Sequence, residues 1–477
     1  MYSLSTSLRE NINIIKESFQ KDDTLIIREF QIQDNPCGKF TILFINGMVD
    51  INKINNSIIM PIMYMGEDIS GKNLNYIKEQ VIISSQVEKS QNLDDIINAI
   101  IDGDVALLME GIKEALIIDC KGFLTRPIEE PGIEKVIRGP REGFNESLTT
   151  NLTLIRRKLK TKNLKFQYKT IGTTSQTKAC ICYIDGVADE GILKEVNKRI
   201  DNIKIDGVLD IKYIQELIDD KPLSIFEVSG NTEKPDVLAA KLLEGRIGIL
   251  LDGTPSVMTV PFLFIENFQS GQDYYTNYYY ATIIRILRLV SSLITTGFPA
   301  IYLSLVTYHR EVLPTPMLLS ILSSRQGVPF PTVVELIGLL LVFEILIEAG
   351  SRMPNYIGQA LSIVGALVLG SAAVEAKIVS SAMIIVVGIS SITGLIIPNF
   401  AGIFIILRTL FILFSAAYGI YGYIFGMVGL FIHLFSLKSF DVPYMATINS
   451  LYPKNLKDTI IRAPRWFIAG NKFGGKK

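Results

Sequence analysis

The sequence predicts an α+β soluble N-terminal half, built as a duplicated α/β subdomain, followed by an all-α polytopic membrane domain. Three observations carry this. First, polarity is uneven: mean hydropathy is +0.33 although 20% of residues are charged, because apolar residues crowd into 281–437. Second, two blocks recur in one order. ILFINGMVD (42–50) returns as ICYIDGVAD (181–189), a shift of 139, and IIDGDVALLMEG (100–111) returns as LLEGRIGILLDG (242–253), a shift of 142. Matched blocks at nearly one offset mark an internal repeat. Third, residues 357–375, IGQALSIVGALVLGSAAVE, carry no charge before Glu375. At ~1.5 Å per residue they reach across a bilayer core.

Length and charge set the bounds. At ~150 residues per domain, 477 residues suggest about three units. Lys plus Arg and Asp plus Glu each number 47, a balance that argues against a nucleic-acid partner. Cys37, Cys120, Cys180 and Cys182 are too few for a disulfide framework and fit a reducing compartment. Cys180 and Cys182 alternate in an apolar run and so share one strand face. No metal site is expected there, and no cofactor. His309 and His433 are the two histidines. No Ser-His-Asp, metal-ligand or phosphate-loop constellation is seen, so enzyme activity is not expected.

In chain order, residues 1–120 read as a first soluble subdomain. A polar helix carries Leu8, Ile12, Ile15 and Phe19 on one side. Strands follow at 24–32 and 40–45, helices at 74–84 and 93–101, and strands at 105–109 and 115–119. Residues 121–165 form a linker with GPREGF (139–144) and a helix over 145–160 ending in Arg156, Arg157, Lys158 and Lys160. Those cations suit the helix dipole, a solvated face, lipid phosphates or an acidic partner. Residues 166–262 repeat the first subdomain. Gly103 and Gly245 fit helix C-caps, and Gly111 and Gly253 fit tight hairpins. Residues 263–280 are a connector whose Tyr274, Tyr275, Tyr278, Tyr279 and Tyr280 suit a headgroup belt or a packed surface.

The membrane domain, 281–437, is expected to hold four to six spans. The first covers 289–308 behind Arg285 and Arg288. A segment broken by Pro316, Arg325, Gly327 and Pro329 follows. Residues 333–349 carry Glu335, Glu344 and Glu348. Glu344, Glu348 and Arg352 lie four apart on one face and can pair along it; with Arg408 they are the candidate intramembrane ion pairs. Residues 357–374 and 379–397 are further spans. Residues 401–437 make two spans or a hairpin about the glycines of GIYGYIFGMVG. The tail, 438–477, is basic, and the positive-inside tendency assigns it to the cytoplasm. The N-terminus shows no secretory h-region, so the soluble half is expected on the same side.

The 357–375 helix holds the candidate site. Gly358, Ser362, Gly365, Ala366, Gly370 and Ala373 form a small face for close helix packing. Beside it runs a second stripe, Leu361, Val364, Val368, Ser371 and Glu375. Around a shared axis it makes an apolar constriction, then hydroxyls, then an acidic ring, one way to build a gated cation pore. Alternatively the stripe is an ordinary packing or lipid-facing surface.

Dispersed motifs then carry a resemblance. GPREGF with NLTLIRRKLK (151–160), DGTPSVMTVPFLFIENFQS (252–270) with DYY (273–275), YHREVLPT (308–315), SRQGVPFPTVVE (324–335), FEILIEAGSRMP (343–354), IVGALVLGSAAVEAKIVS (363–380) and Val442-Pro443-Tyr444 resemble the A subunits of bacterial spore germinant receptors, the GerA family. One departure is Ile347, where the family often has Arg. The resemblance implies a multi-pass protein of the spore inner membrane. It implies a polytopic, transporter-like B subunit that recognises the germinant, and a lipoprotein C subunit. It further implies that A subunits form a homo-oligomeric ring, pentameric, conducting monovalent cations on germinant sensing. Two rivals stay open. A non-conducting assembly or signalling subunit fits the same sequence. A secondary transporter would show a repeat within its membrane half, and none is found there.

Overall fold

The computed structural model describes residues 4–32, 38–64, 74–84, 86–122, 134, 138–352, 368, 370–446 and 458–464. Its first half is two five-stranded mixed-order sheets of antiparallel pairs. The first contains β1 (Leu25–Gln31), β2 (Lys39–Ile45), β3 (Val87–Ser90), β4 (Val105–Met109) and β5 (Ala115–Ile118) in the order β1-β2-β4-β5-β3. The second contains β6 (Leu164–Ile171), β7 (Thr177–Ile184), β8 (Gly230–Thr232), β9 (Ile247–Leu251) and β10 (Val257–Val260) in the order β6-β7-β9-β10-β8. Each strand of the second sheet holds the place of the strand five labels before it.

Period-two alternation explains how each sheet is covered on both faces. Leu43 and Ile45 join α1 (Leu8–Ser18) and α2 (Leu93–Asp102) in one cluster with Ile15, Phe19, Ile96 and Ile100. Their neighbours Ile42 and Phe44 face a helical stretch over 51–64 that is π-helical at Ile54–Ile59. In the second sheet Cys180 and Cys182 point together at α3 (Leu148–Lys158). Ile181 and Tyr183 point at α4 (Glu190–Asp201) and α5 (Ile211–Ile218). Both cysteines are free and fully buried; desolvation pushes the Cys182 thiol up to about 12. Burying one such Leu or Ile side chain stabilises by ~1.5–3 kcal/mol. Turns repeat too: Gly103, at the end of α2, and Gly245, after α6 (Pro235–Leu243), both have φ +93°, the left-handed cap that only glycine adopts freely.

From residue 278 to Ser436 the described residues are mainly helical. Among the described residues two helices are long and apolar enough to cross a membrane: α7 (Tyr278–Thr307) and the stretch Pro398–Ser436. Between them lie α8 (Thr315–Ser324), α9 (Thr332–Arg352) and α10 (Ser381–Gly394). Among the described residues the Pro-rich segment is one ten-residue helix with Pro316 in its first turn, and the expected 379–397 span is a 14-residue helix; most of the expected 357–374 span lies outside the described residues. The last helix, α11 (Ala401–Ser436), is not straight. At Gly419, φ +61° and ψ −141°, it turns back on itself. Gly422 and Gly426 let the returning arm rest on Phe414 and Phe411. The apex meets the end of α7, where the Tyr308 hydroxyl donates to Ala416 O at 2.5 Å.

Candidate functional site

Several charged side chains of the helical half are drawn inward and paired. Arg408, on the first arm of α11, is buried. Its Nη2 pairs with the Glu344 carboxylate of α9, and its Nη1 donates to Ser390 Oγ of α10 at 3.3 Å. Ser390 Oγ in turn donates to Thr295 O of α7 at 2.9 Å. One arginine thus ties four helices. Glu348 and Arg352 pair with each other at 2.5 Å on an exposed face, so the candidate ion pairs divide into one inner and one outer pair.

Glu335 is a second inner carboxylate that sequence reasoning did not single out as a site. Its Oε1 accepts from Ser380 N and Ser380 Oγ, each at 2.6 Å, capping the N-terminus of α10. Arg325 Nη2 stands 3.6 Å from its other oxygen. The signal was present in SRQGVPFPTVVE, which places the cation ten residues before the acid, but nothing in spacing names Ser380 as the partner.

Of the candidate pore stripe, Leu361 and Val364 lie outside the described residues. Val368, Ser371 and Glu375 are all exposed. Of the packing face, Gly358, Ser362, Gly365 and Ala366 also lie outside them, while Gly370 is buried with Ile384 of α10 facing it, and Ala373 is half-buried. The described end of this helix therefore turns its small residue inward and its apolar–hydroxyl–acid stripe outward.

The sheet half is fastened to the helices at two places. The first is a collar at the start of α7. Asp273 receives Arg285 Nε at 3.0 Å and Arg288 Nη1 and Nη2 at 2.8 and 3.0 Å. Arg285 also binds Asp458 at 2.8 Å, and the Tyr274 hydroxyl donates to the same carboxylate at 2.7 Å. Burial pushes the Tyr274 phenol well above its ordinary range. Of the five tyrosines, Tyr274 is half-buried and held in the collar, and Tyr275 is exposed and donates to Asp236 at 2.6 Å. Tyr279 and Tyr280 are exposed. GPREGF belongs to the same region. Gly139, φ +123°, lies so close to the Tyr275 ring that a Cβ would approach it to 2.6 Å, and Phe144 is buried in the second sheet's core.

The second fastening follows α11. Strands β11 (Lys438–Ser439) and β12 (Val442–Pro443) form a two-residue hairpin whose tip, Phe440, enters the core beneath the second sheet. Ser439 Oγ donates to Val228 O at 2.5 Å and accepts from Phe262 N at 2.9 Å. Phe440 N donates to Asp220 Oδ2 at 2.6 Å, and Arg199 reaches Asp220 Oδ1 at 2.6 Å. Lys221 Nζ donates to Ser436 O at 3.2 Å, and Ser224 Oγ lies 3.0 Å from His433 Nε2.

The basic helix end is also neutralised within the chain. Arg156 is buried over the Phe166 ring and pairs with Asp22 at 2.7 Å, joining the two sheet units. Lys158 pairs with Glu142 at 2.7 Å and Lys160 with Asp102 at 3.0 Å. Among the described residues no group of three or more His, Cys, Asp or Glu is placed to hold a metal ion.

Comparison with known proteins matches this architecture to one family. A family model described as "Bacillus/Clostridium GerA spore germination protein" matches residues 13–472. The chain is 40% identical over 468 residues to spore germination protein KA of Bacillus subtilis (strain 168), covering 97% of this chain and 86% of that protein. It is 34% identical to GerLA of Bacillus cereus over 470 residues, 98% and 95% of the two chains. The crystal structure of the N-terminal domain of the A subunit of the Bacillus megaterium spore germinant receptor GerK3 is 32% identical, with a TM-score of 0.45, covering 55% of this chain and 98% of that one. The chain belongs to the GerA family, the A subunits of bacterial spore germinant receptors.

Proposed function

We propose that this A subunit forms, with further copies of itself, a cation path in the spore membrane that opens when germinant is sensed. It works beside a polytopic B subunit and a lipoprotein C subunit, with its soluble half and tail on the cytoplasmic side. The observation that carries the reading is the outward stripe Val368, Ser371 and Glu375 beside the inward Gly370. A stripe that runs apolar, hydroxyl, acid and has no partner helix within the described protomer suits a shared axis: the apolar level gates by dewetting and the acid selects cations. The paired charges elsewhere in the helical half, Arg408 with Glu344 and Arg325 with Glu335, suit a rigid frame rather than the path itself.

The experiment is ionic current across a planar bilayer holding the purified protein, alone and with its B and C partners. Wild type is compared with Glu375→Gln and Val368→Ala. The expected result is cation-selective current, weakened by Glu375→Gln and made less dependent on germinant by Val368→Ala. An assembled complex without current in any combination overturns conduction. It leaves the non-conducting signalling subunit, for which the Phe440 fastening between the halves is the favouring observation.

A further inference from the structure

Beside the collar, residues 458–464 lie against the first turns of α7. Arg462 N donates to Thr282 Oγ1 at 3.2 Å. Between the two segments opens a cleft of about 530 Å³, walled by Tyr278, Tyr279, Ile283, Ile461, Arg462 and Pro464. Thr282 and Ala463 complete the lining, whose exposed surface is almost wholly apolar, with the Arg462 guanidinium largely buried behind it.

Arg462 is the unusual member. It is 6% exposed, yet among the described residues it has no carboxylate partner. Its Nη2 reaches only Tyr274 O at 3.3 Å, its guanidinium lies 5.9 Å from the Tyr274 ring, and its Nε has no partner. The nearby acids are engaged elsewhere: Asp273 by Arg285 and Arg288, Asp458 by Arg285 and Tyr274. A buried cation without a counter-charge is costly. The first turn of α7 holds no acid either, and its N-terminus adds positive potential. The residues that follow, 465–477, contain Arg465, Lys472, Lys476 and Lys477 and no acidic side chain, so they supply no counter-charge.

Away from the cleft, α7 continues as an exposed apolar stripe: Ile283, Ile286, Leu287, Val290 and Leu293. At ~1.5 Å per residue that stripe runs about 15 Å down the helix. A buried, uncompensated cation beside the cleft and an apolar track leading from it match an anionic headgroup on an acyl chain.

We propose that this cleft binds one anionic phospholipid, its phosphate at Arg462 and an acyl chain along Ile283 to Leu293. The site rests on α7 lying in a bilayer, not on conduction. Bound lipid would complete the collar that fixes the first membrane helix to the sheet half.

The test is native mass spectrometry of the full-length protein in detergent, titrated with phosphatidylglycerol and, separately, phosphatidylcholine of the same chains. Phosphatidylglycerol is expected to bind about five- to tenfold more tightly, the worth of about one interfacial cation. Arg462→Gln removes that preference and Arg462→Lys keeps part of it. Because Arg462 is buried, Tyr279→Glu is the second variant: an acid at the exposed rim suits the helix N-terminus and is expected to abolish the preference without unfolding. Equal binding of both lipids, or a preference unchanged in Arg462→Gln and Tyr279→Glu, overturns the site. So does displacement by inorganic phosphate, which makes it a free-anion site, or tighter lipid binding after deletion of 465–477, which makes the tail its occupant. A protein that stays in aqueous solution without detergent overturns the membrane placement itself.

Discussion

The Phe440 ring lies with the Arg199 guanidinium 4.4 Å from its centre, and the residue holds φ +48°. Phe440 and Asp441 are the two central residues of the β11–β12 hairpin, and both have positive φ. That is the pattern of a type I′ turn, which ordinarily takes Asn-Gly. A bulky residue there is strained by ~1–3 kcal/mol. The strain is offset because the ring is buried with Ile200, Ile214 and Val260 and stacked on an arginine. The hairpin is thus held in shape by the sheet domain it plugs, and it follows directly on the last long helix.

Phe440→Ala is accordingly expected to cost ~3–5 kcal/mol, the usual loss for a buried Phe, and to release the joint. Limited proteolysis of the full chain in detergent checks this: cleavage within 436–446 should accelerate in Phe440→Ala. Phe440→Gly relieves the φ strain but loses the ring, so it should cut as fast. Unchanged cleavage in both would show that the fastening lies in Ser439 and Lys221 alone.

Among the described glycines of the helical half, Gly422 is expected to be the least replaceable. A Cβ there would sit 2.0 Å from Phe414 O, a backbone atom that cannot move aside. Gly429, one turn beyond Gly426 on the same arm, has nothing within 4 Å. Gly422→Ala should therefore open the hairpin and lower the yield of monodisperse protein on size exclusion. Gly429→Ala should be neutral, or stabilise by up to ~1 kcal/mol through helix propensity.

These positions also mark what could be read in the sequence. The strand blocks and their glycines were legible because a repeat shows the same backbone demand twice, at Gly103 and again at Gly245. The short β3 and β8 were not: four and three residues with no apolar alternation carry little local signal. The partners of Arg156, Arg285 and Arg408 were illegible for a different reason. Asp22, Asp458 and Glu344 lie 134, 173 and 64 residues away, and spacing rules reach only one helical turn. Hence a basic helix end suggested surface charge where the fold buries an ion pair. Residues 401–437 allowed two spans or a hairpin, and the backbone at Gly419 with the approach of Gly422 and Gly426 to Phe414 and Phe411 gives the hairpin.

Arg408→Ala is expected to destabilise the helical half by ~2–4 kcal/mol, short of a fully buried pair because Glu344 is 29% exposed. Glu344→Gln should cost less, since the arginine keeps Ser390. The two changes together should cost less than their sum, as for any contacting pair. Thermal unfolding in detergent of wild type, both single variants and the double variant measures the coupling. Additive losses would mean that Arg408 acts through Ser390 and not through the carboxylate.

The last prediction concerns pH. Asp219 caps the end of α5, two residues before Lys221 and beside the Phe440 joint. Its Oδ2 accepts from Ser229 Oγ at 3.3 Å, while its Oδ1 is buried without a partner. Desolvation, with Glu227 and Asp220 nearby, raises its carboxyl from 3.8 to about 6. A raised acid binds its proton more tightly folded than unfolded. Between pH 4 and pH 6 the folded state therefore holds more protons, and stability falls as pH rises through that window. The full effect is up to ~3 kcal/mol, complete above about pH 6. Asp219→Asn should flatten this slope and be more stable than wild type at pH 7, with little difference at pH 4. Chemical unfolding of the full chain at pH 4, 5, 6 and 7 reads both. A slope that survives in Asp219→Asn would assign the window to another carboxyl and leave the joint without a proton-sensitive cap.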